Sequence, residues 1–314
     1  MNNRTQTQHS YKTRAKRLPK LISGNRQWVG LLYISPWLIG FLILELYPLM
    51  ASLYYSFTDF TLLRKPEFVG LKNYIQMFTK DHNFWNSVVV TFKWVIIAVP
   101  LKLTTALLVA LLLNKKLKHI NFYRTVYYLP SIFAGSVAVA ILWRFLFMRE
   151  GLVNQILSAV HIPPVDWLGN PDIALYTLSM INVWQFGTSM VLFLAGLKQI
   201  PGDLYEAGRI DGANKIQQFW SITLPMLTPI VLFNLVMQTI NAFQDFTAPF
   251  VITKGGPAKS TYLFSIMIYD NGFKYFSMGY AAALSWLMFA AIITLTAVLF
   301  WSSRYWAHYE DGGK

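Results

Sequence analysis

Residues 86–113 read NSVVVTFKWVIIAVPLKLTTALLVALLL, an apolar run in which Lys93 and Lys102 are the only charges. A bilayer core about 30 Å thick is crossed by roughly 20 apolar residues of helix, and this run is longer. A soluble helix would show an apolar stripe and a polar face. No such division is present here, so the run predicts a helix solvated by lipid.

Working outward, five further segments meet the same test: 29–57, 123–147, 173–197, 225–252 and 279–303. The predicted fold class is all-α, a polytopic membrane bundle of six transmembrane helices. It occupies 29–303, between a basic tail over 1–28 and a short tail over 304–314. Pro36, Pro48, Pro100, Pro229 and Pro249 lie within these segments or near their ends. Such breaks are tolerated where neighbouring helices satisfy the freed carbonyls. Composition agrees, with 55% hydrophobic residues, 13% charged residues and a mean hydropathy of +0.40. A soluble domain carries about 25% charged residues. With no cysteine, disulfides, thiolate metal sites and a cysteine nucleophile are excluded. No cleavable signal peptide is expected, because the first apolar run is too long for a signal core.

The net charge of +13 is unevenly placed. Lys and Arg in short loops mark the cytoplasmic side. One side holds 16 of them: seven in the tail from Arg4 to Arg26, Lys115, Lys116, Lys118, Arg124, Lys198, Arg209, Lys215, Arg304 and Lys314. The other holds eight: Arg64, Lys65, Lys72, Lys80, Arg149, Lys254, Lys259 and Lys274. Both termini are therefore expected in the cytoplasm of a multi-pass inner-membrane protein. The tail adjoins a membrane span, so anionic lipid accounts for its charge more simply than nucleic acid does. Trp28, Trp37, Trp85, Trp301 and Trp306 suit the interfacial belts.

The loop over 199–225 is the most informative. It contains DLYEAGRIDGA (203–213) and then Phe219-Trp220 and Ile222-Thr223-Leu224-Pro225. Leu204 to Asp211 reads as a short helix, Gly212 permits a turn, and a second amphipathic stretch runs to Pro225. Leu204, Ala207 and Ile210 share a face, and Glu206 and Asp211 offer acids to a partner. Such a loop is either an interfacial helix or an element that fits a cleft on a cytoplasmic partner.

The loop resembles that of ATP-binding-cassette importer permeases: Glu-Ala-Ala, three residues, Gly, nine residues, Ile-x-Leu-Pro. Glu206, Ala207, Gly208, Gly212, Ile222, Leu224 and Pro225 stand at those positions, with Gly208 departing from the second alanine. The likeness covers nearly the whole chain. Tyr47-Pro48, Ser56 to Asp59 and Phe68 to Tyr74 resemble the first span and outer loop of carbohydrate permeases. Arg124 with Leu129-Pro130, Ile210 to Ala213 with Phe219-Trp220, and Gly255-Gly256-Pro257 resemble later parts of them. The nearest likeness is to the first permeases of maltose-, lactose- and glycerol-phosphate-type importers. It implies the type I importer permease fold and saccharide import by alternating access. The implied partners are a second, homologous permease, two ATPase subunits that bind ATP and Mg, and an external solute-binding protein. Glu206, Ala207, Gly208, Asp211, Gly212, Leu224 and Pro225 would couple to the ATPase. This chain has no phosphate loop and would need no cofactor.

Polar side chains in lipid usually face a bundle interior or a wet cavity. Asn234, Gln238, Asn241 and Asp245, at offsets of 4, 3 and 4, would share a face of the fifth span. Gln244 lies beside it, and Asn182, Gln185, Thr188 and Ser189 stud the fourth span. These groups either bond a hydroxyl-rich substrate or bind helices together. The family resemblance favours a substrate path through Asn182, Gln185, Gln238, Asn241, Gln244 and Asp245. Lys93 and Arg144 lie near outer ends and can snorkel, whereas Glu45 and Lys102 are expected to pair.

Two rival classes have less support. An ion-coupled secondary transporter would be expected to show internal repeats and relays of buried acids, and no convincing repeat is found. An intramembrane enzyme would need chemistry within the spans. The five histidines, His9, His82, His119, His161 and His308, lie outside them, and neither catalytic nor metal-binding residues are expected.

Overall fold

A computed structural model describes residues 26–62, 64–115 and 118–307, with the side chains of 26–29 and 31 also left aside. Most of the basic tail, Trp28, Lys116, His9, His308 and Lys314 fall outside the description. The chain divides into two units, Met1–Ala51 and Ser52–Lys314.

In the first unit, α1 (Arg26–Phe41) leads into a π-turn, Leu42–Leu46, and then the start of α2 (Tyr47–Ser56). Tyr47 N–H reaches back to the Leu42 carbonyl just before Pro48. Proline has no N–H and its ring crowds the carbonyl four residues earlier. A π-turn widens the helix at that point, which relieves the crowding without ending the helix. Glu45 and the large apolar side chains here, Leu32, Tyr33, Trp37 and Leu44 among them, are exposed.

The second unit is built around α4 (His82–Leu113), which follows α3 (Lys72–Thr79). After α4 come the helices α5 (Ile120–Ile132), α6 (Val137–Phe147), α7 (Leu152–Ala159), α8 (Ala174–Trp184) and α9 (Gly187–Leu197). Next come α10 (Gly202–Ile210), α11 (Lys215–Gln218), α12 (Leu224–Phe243), α13 (Thr247–Thr253), α14 (Phe264–Tyr269) and α15 (Met278–Ser303). The helix α4 packs on α8, α9, α12 and α14. Ala106 and Ala110, fully buried and one turn apart, let α9 approach closely and join Met190, Phe193 and Leu227 in one core. A second core gathers Trp94, Leu178, Phe264 and Leu284.

Among the described residues four helices are long and apolar enough to cross a membrane, and two bent pairs raise this to six. The expectation of six spans stands, but three of them are not the continuous helices the sequence predicts. The third bends by 97° between α5 and α6, at Gly135, which takes φ +76°. The fourth bends by 49° between α8 and α9, and the fifth breaks between Phe243 and Thr247.

The bends support one another. Ser131 of α5 donates its hydroxyl to the Gln185 carbonyl at 3.1 Å and accepts the Thr188 N–H at 3.2 Å. Backbone groups freed by the fourth-span break are thus satisfied by the neighbouring span, as a lipid environment requires. Gly187 makes this approach possible, because a Cβ there would lie 2.8 Å from the Tyr127 carbonyl and from Tyr128 Cα.

The outer-loop residues also find a role. Asn73 is buried and donates to the carbonyls of Ser56 and Thr58, both at 2.9 Å, while Tyr74 donates to Ser56 Oγ at 2.9 Å. The Gly279 N–H bonds the Phe60 carbonyl at 2.9 Å. These bonds fasten the loop over the start of the last span.

Candidate functional site

The polar centre lies where the fifth span breaks. Because α12 ends at Phe243, Asp245 does not continue the helical face of Asn234, Gln238 and Asn241, which corrects the expectation from offsets. It sits in the short non-helical link between α12 and α13. There its backbone carbonyl accepts the Ser265 hydroxyl at 2.6 Å, and its carboxylate accepts the Asn182 amide at 3.5 Å. Lys102 of α4 supplies the opposite charge to Asp245.

The other candidates divide. Asn234 and Gln238 are buried within α12, and Asn234 bonds its own helix, at the Ile230 carbonyl, at 3.2 Å. Asn241 and Gln244 are exposed, and Gln185 is half-buried at the fourth-span break. Their amides are open to a hydroxylated ligand, as is the edge of Trp184, which packs on Trp143 at 5.8 Å. The structure joins Asn182 to Asp245 and adds Lys102. It does not draw Gln238 into that contact.

The loop at the opposite end of α12 is ordered by local chemistry. The helix α10 ends in a Schellman turn: Ala213 N–H bonds the Gly208 carbonyl at 2.8 Å and Gly212 N–H the Arg209 carbonyl at 3.1 Å. Gly212 takes φ +80° there, a left-handed conformation that disfavours a Cβ. Asn214 then caps α11 in a capping box with Gln217. The second stretch does not stop at Pro225, where the sequence reading ends it. It runs through a π-turn, Phe219–Thr223, into the fifth span, so that Lys215–Phe243 is one helix. The π-turn again directly precedes a residue followed by proline, here Leu224-Pro225, with Leu224 N–H bonding the Phe219 carbonyl.

Gly208 faces this junction. A Cβ there would lie 3.2 Å from Ile222 Cδ1, so the departure from alanine matches a close helix contact. Tyr205 and Thr223 hydroxyls share a hydrogen bond at 2.9 Å across the same contact. The opposite side of α10 is open: Leu204 is 40% exposed and Ile210 86%, and Glu206, Ala207 and Asp211 are exposed as well. Ile216 and Trp220 extend this exposed apolar surface.

A model of the family described as binding-protein-dependent transport system inner membrane component matches residues 77–308. The chain belongs to this family. The probable ABC transporter permease protein YesP of Bacillus subtilis is 49% identical over 285 residues, covering 90% of this chain and 92% of the relative. The trehalose/maltose transport system permease protein MalF of Thermococcus litoralis is 35% identical over 273 residues, 86% of this chain and 92% of the relative. A crystal structure of a bacterial ABC transporter for import of the acidic polysaccharide alginate aligns with a TM-score of 0.78 at 23% identity. It covers 89% of this chain and 96% of that one, and the likeness confirms the importer permease fold. As a binding-protein-dependent inner membrane component, the chain is a transport permease and not an enzyme.

Two features of this permease were missed in the sequence. The first is the partnership of Lys102 with Asp245, whose only signal was the shared rarity of charges within spans. The second is Asn154, buried and bonded to the Met148, Arg149 and Val165 carbonyls while accepting from Val165 N–H and Trp167 Nε1. It organises the loop after the third span. One asparagine within a short helix gives no periodic signal.

Proposed function

We propose that this permease carries a saccharide into the cytoplasm by alternating access, driven by ATP hydrolysis on two separate ATPase subunits that bind ATP and Mg. The observation that carries the coupling is the exposed face of α10. An apolar surface held out by a Schellman turn, with Glu206 and Asp211 beside it, suits insertion into a partner's cleft. Because Lys215–Phe243 is one helix, a push on the loop is transmitted along the fifth span to the break at Asp245. Asn182, Gln185, Gln238, Asn241, Gln244 and Asp245 are the proposed substrate path.

The saccharide is supported by the relatives, whose names include trehalose/maltose transport and starch degradation products transport. The family's description supports a solute-binding protein as the donor. One of the solved structures holds an alginate transporter in complex with a pentasaccharide-bound periplasmic protein. A second, homologous permease completes the proposed complex.

The test is uptake in proteoliposomes that contain the co-purified complex and the binding protein. Accumulation should require ATP inside and should persist when ion gradients are collapsed; the reverse dependence would replace this reading with a secondary carrier. Asn241→Leu and Gln244→Leu should each slow uptake while leaving assembly intact. Unchanged uptake in both would reduce this face to packing.

A further inference from the structure

A second site lies at the Lys115 end of α4, on residues that the proposed transport path does not use. There α4, α5 and the link between them line an open cavity of about 420 Å³. Leu112 and Leu113 form an apolar wall, and Tyr123 and Tyr127 line it from α5. Lys115 and Lys118, both exposed, stand at its rim.

A third cation stands beside this cavity. Arg124 donates to the Leu113 carbonyl at 3.3 Å and to Asn121 Oδ1 at 3.5 Å, and its Nε is buried without a partner. These are long bonds to neutral oxygens, so no carboxylate among the described residues neutralises the guanidinium. From His82 to Arg149 the chain has no Asp or Glu. Neither helix that builds the cavity therefore supplies an acid of its own.

We propose that this cavity binds one anionic phospholipid. Its phosphodiester would lie between Lys115 and Lys118, with the Arg124 charge behind the cavity wall, and an acyl chain would follow Leu112 and Leu113. Basic pockets between spanning helices take up anionic head groups, and tyrosines sit well at headgroup depth. A free phosphate would satisfy the cations but leave the apolar wall uncovered, whereas a lipid matches both. The site is independent of the transported solute and of the saccharide reading.

Native mass spectrometry of the full-length protein, purified in mild detergent with its co-purifying subunits, tests the proposal. Phosphatidylglycerol and phosphatidylcholine with identical acyl chains are titrated in parallel. The wild type should hold one phosphatidylglycerol in clear preference to phosphatidylcholine. Lys115→Ser/Lys118→Ser should weaken that binding by about 25-fold, at about fivefold for each lysine, and leave phosphatidylcholine unchanged. Lys72→Ser/Lys80→Ser should retain the preference. Equal binding of the two lipids by the wild type, or an undiminished preference in the Lys115/Lys118 variant, would overturn the proposal. Displacement of the lipid by millimolar inorganic phosphate would also overturn it, in favour of a free-anion site. Should the variant fail to fold, the wild-type comparison of the two lipids still decides.

Discussion

Asp245 holds the polar centre together. Its carboxylate accepts the Asn182 amide and attracts the Lys102 charge, and its carbonyl accepts the Ser265 hydroxyl. Removing one partner of a buried pair costs about 3–5 kcal/mol, whereas removing both can be nearly neutral. Lys102→Met and Asp245→Asn should each destabilise the protein, by less than the about 3–5 kcal/mol of a fully buried contact pair because both side chains are half-buried. The combined variant should return to within about 1 kcal/mol of the wild type. Thermal unfolding in detergent measures this, and uptake adds the functional reading. A stable double variant that cannot transport would place the pair in the substrate path; one as unstable as either single would remove the pairing altogether. Asn154→Ala is a purely structural counterpart. It leaves Val165 N–H and Trp167 Nε1 without their acceptor, at about 1–3 kcal/mol for each group that water cannot reach. The melting temperature should fall while residual uptake keeps its substrate affinity; unaltered melting would mean that water replaces the side chain.

The helix α10 and its turn separate two glycines with different duties. At Gly208 the added methyl of alanine meets the far end of the flexible Ile222 side chain. A small rotation relieves the contact, and helix propensity gains up to about 1 kcal/mol. Gly208→Ala should therefore keep ATPase co-purification and substrate-stimulated hydrolysis at wild-type levels. At Gly212 the φ of +80° is closed to proline, whose ring fixes φ near −65°. Gly212→Pro should thus dismantle the Schellman turn. Glu206→Lys reverses the charge on the exposed face. Both variants should insert normally, because neither lies in a spanning segment, yet lose stimulated hydrolysis. Full stimulation in both would sever the proposed link between this loop and the ATPase.

Across the molecule, orientation follows from charge. The short loops that carry Lys115 and Lys215 are strongly basic, whereas Lys72 lies in a loop on the side with half as many cations. Cysteines introduced at Lys115 and Lys215 should react with an impermeant maleimide only after the cytoplasmic face is opened. One at Lys72 should react in intact cells. The native chain has no cysteine, so every signal is assignable, and the inverse pattern would reverse the proposed topology.

Hydropathy alone located all six segments, because crossing a bilayer demands long apolar runs wherever the helices later pack. The turn at Gly212 was equally legible, since a left-handed cap is a local requirement of the backbone. Composition and spacing could not locate the bends. Gly135, Gln185 and the Gln244–Phe246 link sit inside apolar runs that read as continuous helix, and Ser131, 54 residues from Gln185, satisfies the carbonyl freed at the fourth-span break. The same limit explains Lys102. Helical offsets assume an unbroken helix, and the break after Phe243 carries Asp245 off the face assigned to it and into the field of a lysine on another span. Local patterns determine what is energetically local. Pairings between distant spans depend on which backbone groups the bends release, and only the packed tertiary structure decides that.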